Sequence, residues 1–115
     1  MSTDCIFCKI AQHQQPARIV SENDKIVAFH DINPQAPVHI ILIPREHIAR
    51  VSELNSSNIS VISELILYAN QVAKDLKIAD GGYRLVVNCN AGGGQTVYHL
   101  HLHLLGGRQM HWPPG

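Results

Sequence analysis

The sequence carries no excess of charge, because nine Lys and Arg balance nine Asp and Glu. That removes any general electrostatic case for binding nucleic acid or an anionic membrane, both of which call for a basic surface. No apolar run approaches the roughly 20 residues that a bilayer span requires. Residues 1–4 lack the basic flank and apolar core of an export signal, so the expected location is the cytoplasm. No internal repeat, low-complexity tract or linker-like run divides the chain. Its 115 residues suit one domain, 1–115, with a single core. Cysteine is scarce and odd in number, with three residues. Without an export signal, that count argues against a disulfide framework and for reduced thiols or a metal site.

Histidine, by contrast, is abundant, with eight residues. Three of them, His99, His101 and His103, alternate with Leu100, Leu102 and Leu104. That is the period of a strand, so the imidazoles share one face and the leucines the other. Side chains two apart on a strand stand about 6–7 Å from each other, which sets His99 and His103 about 13 Å apart. One metal cannot hold all three.

The rest of the chain reads as alternating short elements. Residues 5–11 form a short helical turn, with Ile6 and Ile10 on one face and Pro16 ending it. Residues 18–22 and 25–30 form two strands around an Asn23–Asp24 turn. Residues 33–37 form a Pro-stiffened loop, and 38–43 a near-continuous apolar run read as a buried central strand closed by Pro44. From about Ser57 to Ile78, apolar residues recur with the 3.6 period of a long helix, with Asn55, Ser56 and Ser57 as caps and Asp80–Gly81–Gly82 as the stop. Residues 83–88 form another strand, and a glycine loop leads into the histidine strand. Short turns between most strands predict an antiparallel sheet with segregated helices, an α+β domain.

Three features suggest chemistry. Cys5 and Cys8 form a C-x2-C pair, the spacing that lets two thiolates grip one zinc. Two further ligands are needed, and His47 and the histidine strand offer them. The same spacing also serves two buried small residues or a redox pair, although the βαβ context of the latter is missing. Gly92, Gly93 and Gly94 bring bare backbone beside the histidines, with Gln95 and Thr96 as further donors; this is either an anion cradle or a flexible hairpin loop. Three buried imidazoles cost free energy unless each is partnered, which favours function over packing. One histidine is then a nucleophile on phosphorus oriented by a neighbour, or His99 and His101 chelate a catalytic zinc.

The run from His99 to Leu105 resembles the His-φ-His-φ-His-φ-φ motif of the histidine triad (HIT) superfamily, φ being apolar. The likeness extends from Cys5 to the C-terminus. Residues 28–32 (AFHDI), 35–37 (QAP), 93–95 (GGQ) and 106–115 (GGRQMHWPPG) resemble its Hint branch, the histidine triad nucleotide-binding proteins. The resemblance implies a five-stranded antiparallel sheet with one long and one short helix, and a homodimer whose two sheets join. It implies a purine nucleoside phosphoramidase that hydrolyses the P–N bond of AMP–amine conjugates, such as adenosine 5′-phosphoramidate and AMP–lysine, with AMP and GMP as ligands. By that likeness His101 is the nucleophile that carries a nucleotidyl intermediate. His103 contacts the phosphate and the departing group, and His39 sits behind the triad and orients His101. Asp31 holds the ribose hydroxyls; Phe7, Phe29 and Ile32 wall the base; Asn88, Gly94 and Thr96 face the phosphate. Trp112 crosses toward the partner's site. Cys5, Cys8, His47 and His99 match the structural zinc ligands of some members, and no organic cofactor is implied. Two departures stand out. Thr96 occupies a position where the branch commonly has serine, and some animal members lack the two cysteines. A dinucleoside polyphosphate hydrolase, as in another branch, and a nucleotide-sensing scaffold are the alternatives.

Overall fold

The computed structural model describes residues 4–115. Met1, Ser2 and Thr3, part of the segment read as lacking an export signal, lie outside the described residues. In chain order the elements are helix α1 (Ile6–Ala11), strands β1 (Ile19–Glu22), β2 (Ile26–His30) and β3 (Val38–Pro44), helix α2 (Ser60–Asp75), and strands β4 (Tyr83–Val86) and β5 (Leu102–Gly106). The five strands form one antiparallel sheet in the order β1-β2-β3-β5-β4. This is the α+β architecture that the element order implied.

The central strands alternate between two apolar layers. Ile26 and Ala28 of β2, Ile40 and Leu42 of β3, and Leu100, Leu102 and Leu104 pack with Leu65, Ala69, Val72 and Ala73 of α2. Val27, Phe29, Ile41 and Ile43 face the other way and pack with Phe7, Ile10 and Ala11 of α1. The helices therefore cover opposite faces, which is why β2 and β3 read as continuous apolar runs. The smaller layer, under α1, lies on the face to which His39 and His103 belong. Among the described residues no helix is long and apolar enough to cross a membrane.

Several boundaries or stop signals differ from the sequence expectation. The short helix ends at Ala11, the bound read from the sequence, and does so on its own turn, well before Pro16. His13 turns left-handed at φ 60°, and its N–H and that of Gln14 bond back to Ile10 and Lys9 at 3.1 and 2.8 Å. The long helix likewise ends before Asp80–Gly81–Gly82. Lys77 takes φ 63°, with Lys77 N–H on the Lys74 carbonyl at 3.1 Å and Ile78 N–H on Ala73 at 3.0 Å. Both are Schellman closures, which usually place glycine at the left-handed position. At the other end α2 begins at Ser60, because residues 56–59 are used in turns. There Asn55 Oδ1 accepts from Ser57 N–H at 2.9 Å. The histidine strand is the most consequential revision. Ladder pairing starts only at Leu102, so His99 and His101 precede the strand, although the leucine alternation persists into the core.

Close approach fixes one glycine. A Cβ on Gly106 would lie 2.6 Å from Ile78 Cδ1 and 3.2 Å from its Cβ, so a side chain there would force Ile78, which closes α2, to shift.

Candidate active site and metal-ligand cluster

Strand register brings the first pair together. Ile41 sits opposite His103, and His39 opposite Leu105, so His39 and His103 are diagonal neighbours on the face away from α2. Their rings meet with His39 Nε2 2.9 Å from His103 Nδ1. His39 Nε2 is also 3.3 Å from a carboxylate oxygen of Asp31, and its Nδ1 accepts the Gln35 backbone N–H at 3.0 Å. The resemblance placed His39 behind the triad, orienting His101. The structure places it behind His103, because β3 pairs with the part of β5 that carries His103 and not with the segment carrying His101.

These contacts determine where the ring protons lie. A nitrogen that accepts an N–H carries no proton, so neutral His39 holds its proton on Nε2. That Nε2–H points at His103 Nδ1, which leaves the His103 proton on Nε2. His101 has the opposite arrangement. Its Nδ1 lies 2.7 Å from the His99 carbonyl oxygen, to which it must donate, so its Nε2 keeps a lone pair. The same logic applies to His99, whose Nε2 donates to the Pro44 carbonyl at 2.7 Å and whose Nδ1 is left as a ligand. Each of the three histidines is thus held in one tautomer, by backbone carbonyls for His99 and His101 and by a histidine for His103.

Burial keeps these rings neutral. His99 is fully enclosed and His101 is 7% exposed. Burial holds His101 below the ordinary histidine value, against the opposing pull of its bond to His99 and the charge of Asp31. His103 is pushed down to about 4 by burial first, then by the neighbouring His101 and His39. His39 is lowered by burial, with Asp31 opposing.

His101 and His103 open onto a cleft of about 820 Å³. Phe7, Phe29, Asp31, Ile32, Asn88, Gly94 and Thr96 line it with them. Phe7 stands edge-on to Phe29 and to His101, with ring centroids 5.5 and 5.1 Å apart. Trp112 does not line the cleft and is 83% exposed. A second cavity of about 280 Å³ shares Asn88 and His103 with the cleft and is also lined by His39, Arg84, Arg108, Met110 and Pro114.

The glycine loop contributes less than its composition suggested. Gly94, at φ 86°, reaches the cleft wall. Gln95 is buried and fully used. Its amide donates to Ala49 and Val97 carbonyls at 2.9 and 3.1 Å and accepts Asn90 N–H at 2.9 Å. It locks the loop in place and is no phosphate donor. Arg84, Arg108 and the rim residues Gln15 to Arg18 were missed as site residues. They lie far apart in sequence, and only strand pairing and the returning chain bring them to the site.

Cys5, Cys8, His47 and His99 form a separate cluster whose ligand atoms all lie within 4.8 Å of one another. Nδ1 of His99 is 3.4 Å from Cys5 Sγ and 3.5 Å from Cys8 Sγ. His47 Nδ1 is 3.3 Å from Cys8 Sγ and 3.2 Å from His99 Nδ1. Zinc bonds of about 2.3 Å to sulfur and 2.0–2.1 Å to nitrogen generate tetrahedron edges of about this length, so the residues fit a four-coordinate metal. The Pro44 carbonyl supplies the outer hydrogen bond that aims a ligating imidazole. Burial pushes the Cys8 thiol up to about 11, so a metal arriving here must displace a proton. His99 turns Nδ1 to the thiols and Nε2 to the Pro44 carbonyl, whereas His101 turns Nδ1 to the His99 carbonyl and lines the cleft, so the two imidazoles face different sites.

The family model described as the scavenger mRNA decapping enzyme C-terminal binding region matches residues 4–112. A solved HIT family hydrolase from Legionella pneumophila superposes with a TM-score of 0.95 at 51% identity, over 97% of this chain and 100% of that one. A 14 kDa zinc-binding protein of Zea mays is 46% identical over 96% of this chain and 87% of its own. The adenylylsulfatase HINT1 of Arabidopsis thaliana is 46% identical over 96% of this chain and 76% of its own.

Proposed function

The chain belongs to the histidine triad superfamily, and from that premise we propose that it is a hydrolase of the Hint kind, a purine nucleoside phosphoramidase that cleaves the P–N bond of AMP–amine conjugates. The observation that carries this reading is the pair of opposed tautomers at the cleft. His101 offers a lone pair on Nε2, and His103 offers an N–H on Nε2. One is built to attack phosphorus and the other to hold the phosphoryl oxygen whose charge grows as attack proceeds.

The steps follow from those roles. The base of AMP or GMP lies between Phe7, Phe29 and Ile32, which suits either purine, and Asp31 accepts from the ribose hydroxyls. His101 Nε2 attacks phosphorus, forming a P–N bond to the imidazole as the bond to the substrate amine breaks. The amine nitrogen leaves with that electron pair and takes one proton, relayed through the exposed Thr96 hydroxyl. Asn88 and the Gly94 backbone steady the remaining oxygens. Water then displaces His101 from phosphorus, giving the nucleoside monophosphate and returning the proton. No net charge is gained or lost by the enzyme. The methyl that Thr96 adds to a serine-like hydroxyl narrows this proton path.

His39 and Asp31 hold the tautomer of His103. Zinc is the metal proposed for Cys5, Cys8, His47 and His99. It would tie α1 to the end of β3 and to the segment before β5, and with all four positions taken by protein it would serve structure alone. A cytoplasmic single-domain protein, 1–115, acting as a homodimer completes the proposal. The two edge strands are β1 and β4, and β1 is interrupted by a register shift between Ile19 and Ser21. Regular β4 is therefore the edge proposed to extend into a partner's sheet.

His101→Ala tests the mechanism. Turnover of an AMP–amine conjugate should fall by at least about a thousandfold, as loss of a nucleophile does, while AMP affinity changes little. Retained turnover would refute it.

A further inference from the structure

One permanently cationic side chain lines the cleft, and the chemistry at phosphorus does not use it. Arg18 is the only lysine or arginine among the lining residues. It is exposed, and among the described residues no group accepts a hydrogen bond from its guanidinium. Its backbone is fixed, since the Arg18 carbonyl accepts the His30 N–H at 3.0 Å. His30 adds no second cation there, because burial and then the charge of Arg18 keep its ring below the ordinary histidine value.

Strand register sets the distance of Arg18 from the reacting end. His103 sits opposite Ile41, Ile41 opposite Phe29, and Phe29 opposite Ile19, the residue after Arg18. This row crosses the sheet from β5 to β1 in three steps of about 4.8 Å, or about 14 Å in all. A nucleoside monophosphate laid along it, with phosphorus at His101 and His103 and ribose at Asp31, passes its base over Phe29 and ends at Arg18. The sugar of a purine nucleoside is carried by the five-membered ring. The end that reaches Arg18 is therefore the six-membered ring with its substituent at C6.

The fork of the guanidinium decides what it can pair with there, because it presents N–H donors and no acceptor. Guanine and hypoxanthine carry two adjacent acceptors, O6 and N7, which the fork meets together. Adenine carries one acceptor and one amino donor at the same place. The amide of Gln15, on the same rim, has a donor and an acceptor and so complements adenine. Charge decides between the two, since a hydrogen bond from an ionised donor is about twice as strong as a neutral one.

We propose that Arg18 is a specificity-determining residue at the base end of the cleft, and that the cleft selects 6-oxopurine nucleotides, those of guanine and hypoxanthine, over adenine nucleotides. The proposal rests on the nucleotide-cleft reading above and deepens it by naming the base. It does not depend on which bond to phosphorus is cleaved.

The test titrates GMP, IMP and AMP into wild type, Arg18→Ala and Arg18→Gln by calorimetry, with thermal melts to confirm folding. Guanosine, inosine and adenosine 5′-phosphoramidates are assayed for turnover in parallel. Wild type should bind GMP and IMP about tenfold more tightly than AMP, the lower end of what one bidentate base contact discriminates. Arg18→Ala should erase that lead, and Arg18→Gln, whose amide pairs with adenine, should reverse it. Equal affinities in wild type, with the phosphoramidates still turned over, would overturn the proposal and leave the phosphoramidase reading intact. A lead for GMP alone, which would mean that the 2-amino group is read, or a lead that survives Arg18→Ala, would also overturn it. The expected ranking of affinities with all three phosphoramidates inert would uphold the proposal and overturn the phosphoramidase reading.

Discussion

His101 and His103 are separated by one leucine, yet their chemistry is opposite because their Nδ1 atoms meet different partners. A carbonyl makes Nδ1 of His101 a donor; a histidine N–H makes Nδ1 of His103 an acceptor. Both must stay neutral to keep these roles, and burial holds both below the ordinary value. The acidic limb of kcat/KM should therefore lie below pH 6.5, the unperturbed histidine value. Stability carries the same signature. His103 has a folded value of about 4, so between pH 6.5 and 4 the unfolded chain takes up the proton that the folded chain refuses. Stability is full above pH 6.5, declines as pH falls through that window, and levels off below it. Thermal melts from pH 7 to 4 check this, and a melting temperature flat across that range would contradict it. At this scale much of the site was legible. Alternation separated the imidazoles from the leucines, and the motif marked His101. The partner of His39 was not legible, because strand register decides it. Nor was the use of Gln95, whose amide looks in sequence like any loop donor.

Among the elements, the sequence predicted the kinds better than the ends. Both helices close on Schellman turns with His13 and Lys77 at the left-handed position. Boundary reasoning looks for glycine or proline there, and so carries the long helix to Ile78, past its end at Asp75. The histidine segment was read as a strand throughout because its leucines alternate. Alternation reports which way side chains point, whereas a ladder needs backbone pairing, and Leu100 N–H bonds to the Ile48 carbonyl, outside the strand, instead. The six-residue α1 is too short to persist alone. It is held by Phe7, Ile10 and Ala11 in the smaller apolar layer and by the cluster of Cys5, Cys8, His47 and His99. If zinc closes that cluster, elemental analysis should give about one zinc per chain. Cys5→Ser should lower both zinc content and melting temperature. A native, fully active preparation without zinc would count against the assignment.

For the molecule as a whole, the sheet leaves β4 as a regular edge, and Leu67 on α2 is 69% exposed. That open edge is the one proposed to pair with a second copy of the chain. Sedimentation at micromolar concentration should give twice the 12.7 kDa chain mass, and a monomer would refute the homodimer. Trp112, solvent-exposed and outside its own cleft, would then meet the neighbouring subunit. The claim on which the functional account depends is that His101 forms a covalent bond to phosphorus. Rapid acid-free quenching of the enzyme during turnover of an AMP–amine conjugate, followed by peptide mass spectrometry, tests it most directly. The account predicts a nucleotidyl adduct on the peptide bearing His101, absent in His101→Ala. Steady turnover with an adduct on another residue, or with full activity in that variant, would contradict it.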